Sequence, residues 1–223
     1  MNKFKQFVLT WIVPRGWQRL LRKPNTAHNL SEKSPTQSLE SMSTVMSPEW
    51  KTFRECMESC QVYLEFGSGE STLFADKAGV SKIVSVETDP LWVSTLEKLT
   101  SSRVSFIRVD LGPVGRWGRP IDYSFHSRFS HYLDDPFDGD LQPDLVLIDG
   151  RFRVASFLAT LRMVAPGSVI VFDDYVKRPE YHVVEEVLSP ERVGERQAVF
   201  RRPEEVDLKK IDYLLNAFRY VMD

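Results

Sequence analysis

The sequence predicts a doubly wound, mostly parallel α/β sheet with helices on both faces, forming one domain that carries an N-terminal arm. Three observations predict it. Short apolar runs alternate with helical stretches along most of the chain. One of those runs, Leu145 to Ile148, is continuously apolar, as a parallel strand covered on both faces requires. At residues 61 to 74 an apolar run, a glycine turn and a helix start follow one another, which is the crevice-forming unit of an open α/β sheet.

The elements follow in order. Ser47-Pro48-Glu49 supplies an N-cap, a first-turn proline and a dipole-compatible acid, so a helix runs to about Ser59. Val62 to Phe66 is the first strand, Gly67 and Gly69 the turn, and Ser71 to Ala78 the next helix. Lys82 to Val86 is a second strand ending in Glu87. Asp89-Pro90 opens a helix to Leu99 with Leu91, Trp92, Leu96 and Leu99 as its apolar stripe. Val104 to Val109 is a third strand ending in Asp110, and Leu145 to Ile148 a fourth ending in Asp149. A helix over 155 to 164 and the turn Ala165-Pro166-Gly167 lead to a fifth strand, Ser168 to Phe172, which ends in Asp173-Asp174-Tyr175. A short helix over 182 to 188, a last strand over 197 to 201 and a closing helix over 206 to 220 complete the domain. Connections between parallel neighbours are expected to be right-handed.

Three segments stand apart. Residues 1 to 23 hold Lys3, Lys5, Arg15, Arg19, Arg22 and Lys23 with no acid, around an apolar run from Phe7 to Val13 that is too short to span a membrane. A surface helix, an interfacial arm placing Trp11, Trp17, Leu20 and Leu21 among headgroups, and a targeting segment all fit this pattern. Residues 24 to 47 are Ser-rich and polar and read as a linker; residues 48 to 223 form the α/β domain. Within it, the 33 residues from Leu111 to Pro143 are long for a connection, and they are rich in Gly, Arg and aromatic residues, as in a lid or substrate loop.

Composition narrows the partners. The net charge of −2 with six cations in the arm leaves the domain mildly acidic, which argues against a nucleic-acid-binding core. Cys56 and Cys60 are the only cysteines, so neither a disulfide framework nor a Cys-rich metal site is expected. The expected location is cytoplasmic, at a membrane surface if residues 1 to 23 touch one. The oligomeric state is left open.

Each of the first five strands delivers an acid at or near its carboxyl end: Glu65, Glu87, Asp110, Asp149 and the Asp173–Asp174 pair. Ligands of open α/β sheets bind at that edge. Glu87 stands where an acid accepts the hydroxyls of a ribose. The third position of a dinucleotide fingerprint is Thr72 rather than Gly, and acid-rich surroundings suit a cationic ligand such as a sulfonium better than a pyrophosphate.

The residues from Glu65 to Thr72, EFGSGEST, followed by Ser85-Val86-Glu87, resemble the first motif and the second-strand acid of class I S-adenosylmethionine-dependent methyltransferases. The likeness is greatest to small-molecule and sugar O-methyltransferases, and it continues through Leu147 to Gly150 and Pro166 to Tyr175. It implies a Rossmann-like sheet and S-adenosylmethionine as cofactor. Glu65, Gly67, Ser68, Gly69, Ser71 and Thr72 would line its methionine and ribose portion, Glu87 the ribose hydroxyls, and Asp110 the adenine edge. In metal-dependent members the matching acids, here Asp149, Asp173 and Asp174, hold Mg²⁺, which would activate a substrate hydroxyl. The sequence departs from that pattern after Asp149-Gly150, where Arg151-Phe152-Arg153 stands; these arginines either neutralise the acids or bind an anionic substrate group. Asp149, His126, His131 and Tyr175 are the candidate catalytic groups, and the base is left unassigned among them. The expected activity is methyl transfer to a hydroxyl of a small-molecule or glycan-like acceptor. A catalytically silent binding protein and a nicotinamide-dependent enzyme are the alternatives.

Overall fold

The computed structural model describes residues 48 to 222, so the expectations for the arm, the linker and the Ser47 cap lie outside the described residues. A 3-10 turn at Pro48–Trp50 leads into α1 (Lys51–Met57). Then follow β1 (Val62–Phe66), α2 (Glu70–Lys77), β2 (Lys82–Glu87), α3 (Pro90–Leu96) and β3 (Val104–Arg108). After α4 (Phe129–Asp134) come β4 (Leu145–Ile148), α5 (Arg153–Met163), β5 (Val169–Phe172), β6 (Arg192–Val193), β7 (Ala198–Arg201) and α6 (Leu208–Phe218). The strands form one seven-stranded sheet in the order β3-β2-β1-β4-β5-β7-β6. β1 to β5 pair in parallel; β7 runs antiparallel to both β5 and β6. Chain order reverses between β1 and β4, which is where such sheets open a ligand crevice.

Alternation of side chains along the strands divides the core in two. Leu64, Phe66, Val84, Val86, Val146, Ile148, Ile170, Phe172 and Phe200 face α5 and α6. Tyr63, Ile83, Leu145, Leu147, Val171 and Val199 face α1 and α2. The β4 run is buried at every position, as its unbroken apolar sequence requires.

Several expectations need correction. The third helix stops at Leu96 and buries Val93 and Leu96, leaving Leu91 77% and Leu99 52% exposed. Asp89 caps that helix by accepting from the amides of Leu91 and Trp92. The two-residue β6 carries no sequence signal, because a strand so short has no periodicity to read. The short helix near residue 182 is 3-10, over Pro179–Glu186. The segment from 111 to 143 does not stand apart from the core over its whole length. Tyr123, Phe129, Tyr132 and Leu133 are buried in the larger core beside Phe66 and Phe152, so the stretch that contains α4 is a wall of the domain.

The heart of the larger core is Phe157, fully buried, with ring centroids 4.7 Å from Phe200 and 5.8 Å from Phe172. Phe157→Ala should lower the unfolding free energy by about 3–5 kcal/mol, as for other large core truncations. Urea denaturation followed by circular dichroism measures it.

Candidate functional site

The parallel register brings the site to a single level. Phe66 lies beside Val86 and Ile148, and Ile148 beside Phe172. The next residue on each strand is therefore Gly67, Glu87, Asp149 and Asp173, four positions that end one rung together at the carboxyl edge. Glu65 lies two residues before that rung, in register with Ser85 and Leu147, and its side chain points to the face covered by α2.

That step back from the edge changes the part Glu65 plays. Its carboxylate is fully buried and accepts four hydroxyls: Tyr63 at 2.9 Å, Ser71 at 2.5 Å, Ser85 at 2.7 Å, and Thr72. Thr72 Oγ1 in turn accepts the Gly69 amide at 2.9 Å, and Ser68 Oγ lies 2.6 Å from Ser85 Oγ. Trp92 adds a third tie, its indole N–H donating to the Ser68 carbonyl at 3.0 Å. Glu65 thus holds Ser68 and Gly69 through one intermediary hydroxyl each. Burial raises its pKa, against the lowering effect of those hydroxyls. Ser71 and Thr72, buried with it, belong to this undercarriage of the turn and do not line the crevice with their side chains.

The turn itself is shaped by two backbones in contact. Gly67 has φ +96°, and a Cβ there would lie 2.7 Å from the Gly150 Cα. A Cβ on Gly150 would collide with the Tyr132 hydroxyl, which accepts the Arg151 amide at 3.2 Å. Burial, and after it the nearby charge of Glu87, pushes the Tyr132 phenol up. Gly69 is different. Its φ of 173° is open to any residue, and a Cβ there would meet nothing within 4 Å. Neither conformation nor packing asks for glycine at that position; an incoming ligand close to the backbone, at the N-terminus of α2, would.

Glu87 faces the turn. It accepts the Ser68 amide at 3.2 Å through one oxygen, and through the other the amides of Thr88 at 2.6 Å and Asp89 at 3.1 Å. Asp110, two residues past β3 and 74% exposed, pairs with Arg128 and accepts the Gly112 amide at 2.9 Å.

The acids Asp149, Asp173 and Asp174 do come together, and arginines fill the space among them. Arg153, with only 5% of its side chain exposed, donates to Asp149 Oδ1 at 2.8 Å and to the Asp173 carbonyl at 2.9 Å, and reaches Asp174 at 3.4 Å. Arg196 grips both oxygens of the fully buried Asp173 and lies 3.1 Å from Asp174; Arg178 holds Asp174 at 2.7 Å. Gln197 completes the Asp173 shell at 3.0 Å. A hydrated Mg²⁺ needs open carboxylate oxygens with room for water. Here guanidinium donors occupy those oxygens, and among the described residues no acid, His or Cys group is arranged to hold a metal. The expected metal site is an ion-pair cluster.

The cluster leaves its members unequal. Although burial opposes it, the Arg196 contacts hold Asp173 below the usual carboxylate range. Burial raises Asp149 well above that range; Arg153 lowers it in part, and the neighbouring Asp173 charge raises it again. A quarter of the Asp149 side chain remains exposed.

The other candidate bases are held elsewhere. The hydroxyl of the buried Tyr175 donates to Glu185 at 2.5 Å, and its ring stacks on His182 at 4.5 Å, so it is a core residue. His131 is 61% exposed and partners Asp135, one helical turn on. The His126 ring packs against Tyr220 near the C-terminus, with Nδ1 3.0 Å from the Tyr123 carbonyl. Arg178, Arg196 and Gln197 went unread in the sequence. Only the antiparallel pairing of Phe172 with Ala198 brings Gln197 beside Asp173, and sequence spacing does not reveal that register.

Fold and site together define an open α/β protein in which a glycine turn and a row of acids meet at the switch between β1 and β4. Comparison with known proteins makes the class specific. A methyltransferase-like protein from Silicibacter pomeroyi is 30% identical, with a TM-score of 0.70 over 79% of this chain and 97% of that one. A cofactor-bound protein from MTB shares the fold, at 16% identity and a TM-score of 0.50 over 92% of each chain. No family model and no curated protein matches the sequence. The chain belongs to the class I S-adenosylmethionine-dependent methyltransferase family.

Two outcomes follow from the cluster. Arg153→Gln should destabilise the fold by about 3–5 kcal/mol, since it strands buried carboxylates without their partner; the urea midpoint reads it. Asp149 also makes stability pH-dependent. A carboxyl whose folded pKa lies above its unfolded value contributes stability below the unfolded value, near 4, and loses it as pH rises through the folded one. The stability of the wild type relative to Asp149→Asn should therefore fall as pH rises from the ordinary carboxylate range upward. A pH series of denaturation midpoints gives the sign.

Proposed function

We propose that the protein transfers a methyl group from S-adenosylmethionine to a hydroxyl oxygen of a small-molecule or glycan-like acceptor, with Asp149 taking the hydroxyl proton. The observation that carries this reading is the shared rung: an open-sided glycine turn, a ribose-type acid and a raised-pKa acid end adjacent strands at one level.

In this reading the backbone at Gly67 to Gly69 and the first turn of α2 receive the methionine portion of the cofactor, Glu87 the ribose diol, and the residues around Asp110 the adenine. The cofactor, when bound, supplies an electrophilic methyl group on a cationic sulfur. The chain's own contribution is placement and proton management. Glu65 and its hydroxyl ring fix the turn, so the methyl group and the acceptor oxygen meet in line at little entropic cost. Asp149, with its affinity for a proton raised by burial, accepts the hydroxyl proton as the oxygen–carbon bond forms and the sulfur–carbon bond breaks. Arg153 keeps its carboxyl oriented. No step uses Mg²⁺, because the acids that would bind it are already neutralised by arginine.

Calorimetry with S-adenosylhomocysteine should show one site, and Asp149→Asn should retain that binding while methyl transfer to a hydroxyl acceptor falls about 10²–10⁴-fold. Chelators or millimolar Mg²⁺ should leave the rate unchanged. Absence of binding at millimolar ligand would sink the cofactor reading, and an undiminished rate in Asp149→Asn would remove Asp149 from the chemistry.

A further inference from the structure

The ribose-type acid is covered. Residues 113 to 122 leave the sheet edge between two buried anchors, Leu111 and Tyr123, and between those anchors only Gly118 and Pro120 are themselves buried. The loop folds on itself as a small hairpin, with a bridge between Val114 and Pro120 and the Gly115 amide donating to the Arg119 carbonyl at 2.7 Å. It touches the crevice at Gly118. The Thr88 hydroxyl donates to the Gly118 carbonyl at 2.8 Å, and a Cβ on Gly118 would strike that hydroxyl and lie 3.0 Å from Glu87 Oε1. Gly118 has φ +65° and Trp117 before it φ +62°, a left-handed conformation that a bulky residue adopts only when its surroundings impose it. Trp117 is 73% exposed among the described residues, with the Arg116 guanidinium over its ring at 5.0 Å. The conformation belongs to the hairpin: Trp117 and Gly118 are the two central residues of a tight turn that the Arg119 amide closes on the Arg116 carbonyl at 3.4 Å, and such a turn takes positive φ at both.

We propose that residues 113 to 122 are a flap that gates the cofactor crevice, latched over Glu87 by the Thr88–Gly118 hydrogen bond and released to admit S-adenosylmethionine. The proposal rests on the reading of Glu87 as the ribose acid. In the latched form Gly118 takes the space beside Glu87 Oε1, where a Cβ on it would lie only 3.0 Å from that oxygen, so a diol reaching Oε1 meets the flap. Gly112 at φ +82°, packed against the Phe125 ring, and the Asp110–Arg128 pair fix the base about which the flap turns. The other tie is a hydrogen bond from Arg119 to the Met222 carbonyl, 3.3 Å long.

A closed flap lowers the apparent affinity and association rate by the fraction of molecules that are open. Removing the latch hydroxyl with Thr88→Val should therefore raise the association rate of S-adenosylhomocysteine about 3- to 10-fold, the worth of one net hydrogen bond. Stopped-flow tryptophan emission reads it, with Trp117→Phe as the control that removes the flap's own signal. Gly118→Ala, which forces the flap off Thr88, should act in the same direction. Amide exchange across 113 to 122 in Thr88→Val should quicken without ligand, while β1, β2 and β4 stay protected. Binding with unchanged association rates and unchanged flap exchange in both variants overturns the gate and leaves the crevice reading intact. Flap exchange that quickens in variants and wild type that all fail to bind overturns the crevice reading, and the gate with it.

Discussion

The carboxyl edge depends on one close approach, that of the Gly67 and Gly150 backbones. β1 and β4 are adjacent parallel strands whose chains leave in opposite directions at the point where strand order reverses. The two exits can lie this close only if neither carries a side chain, because a Cβ on Gly67 would sit 2.7 Å from Gly150. The Tyr132 hydroxyl closes the other side of Gly150. The height of the turn, the direction of the Asp149 carboxyl and the position of α4 are thus set together. A change at any of the three would be felt at the other two, as expected where backbone rather than flexible side chains makes the contact.

Charge at this edge follows from the same geometry. Five parallel strands aim their carboxyl ends at one region, and acids gathered there must be neutralised. The chain does so in three ways. Glu65, two residues back from the edge, is satisfied by hydroxyls alone. Glu87 is satisfied by backbone amides. Asp173 and Asp174 are held by arginines from β7's approach and from the turn after β5. Two non-glycine residues with positive φ stand at the exits of this same edge, Phe152 after β4 and Asp174 after β5. Local backbone strain of this kind collects where the surrounding structure demands a particular side-chain direction.

Much of this was legible in the sequence, for reasons that can be named. The five parallel strands carry apolar runs whose length and flanking turns mark them, and the acids that end them are adjacent to those runs, so Glu87, Asp149 and Asp173 fell within one rung as expected. The burial of Glu65 among four hydroxyls was not legible, because Ser85 comes from the neighbouring strand and Ser71 and Thr72 from the helix that follows. The arginines from the antiparallel end were illegible, since Arg196 reaches Asp173 through a pairing between residues more than twenty apart. Trp92 read as an apolar-stripe residue, whereas it lies in the first turn of α3 with its indole N–H donating to the Ser68 carbonyl, a contact that spacing along the helix does not show. The segment from 111 to 143 read as one loop, and composition alone does not mark Tyr123, Phe129, Tyr132 and Leu133 as its core residues.

Replacing a metal by guanidinium groups changes what the acids can do. A divalent cation shared by Asp149, Asp173 and Asp174 would hold all three deprotonated and lower the pKa of a bound hydroxyl. Arginine neutralises without offering a coordination site, and it does so unevenly. Arg196 favours Asp173, which stays ionised; burial raises the affinity of Asp149 for a proton, and the Asp173 charge beside it adds to that. A cluster that would have served as a cation cage is thereby converted into an arrangement in which one carboxyl is inclined to accept a proton. In the proposed reaction, that is the work a sulfonium donor leaves to the protein, because the methyl group is already activated and only the acceptor's proton must be removed.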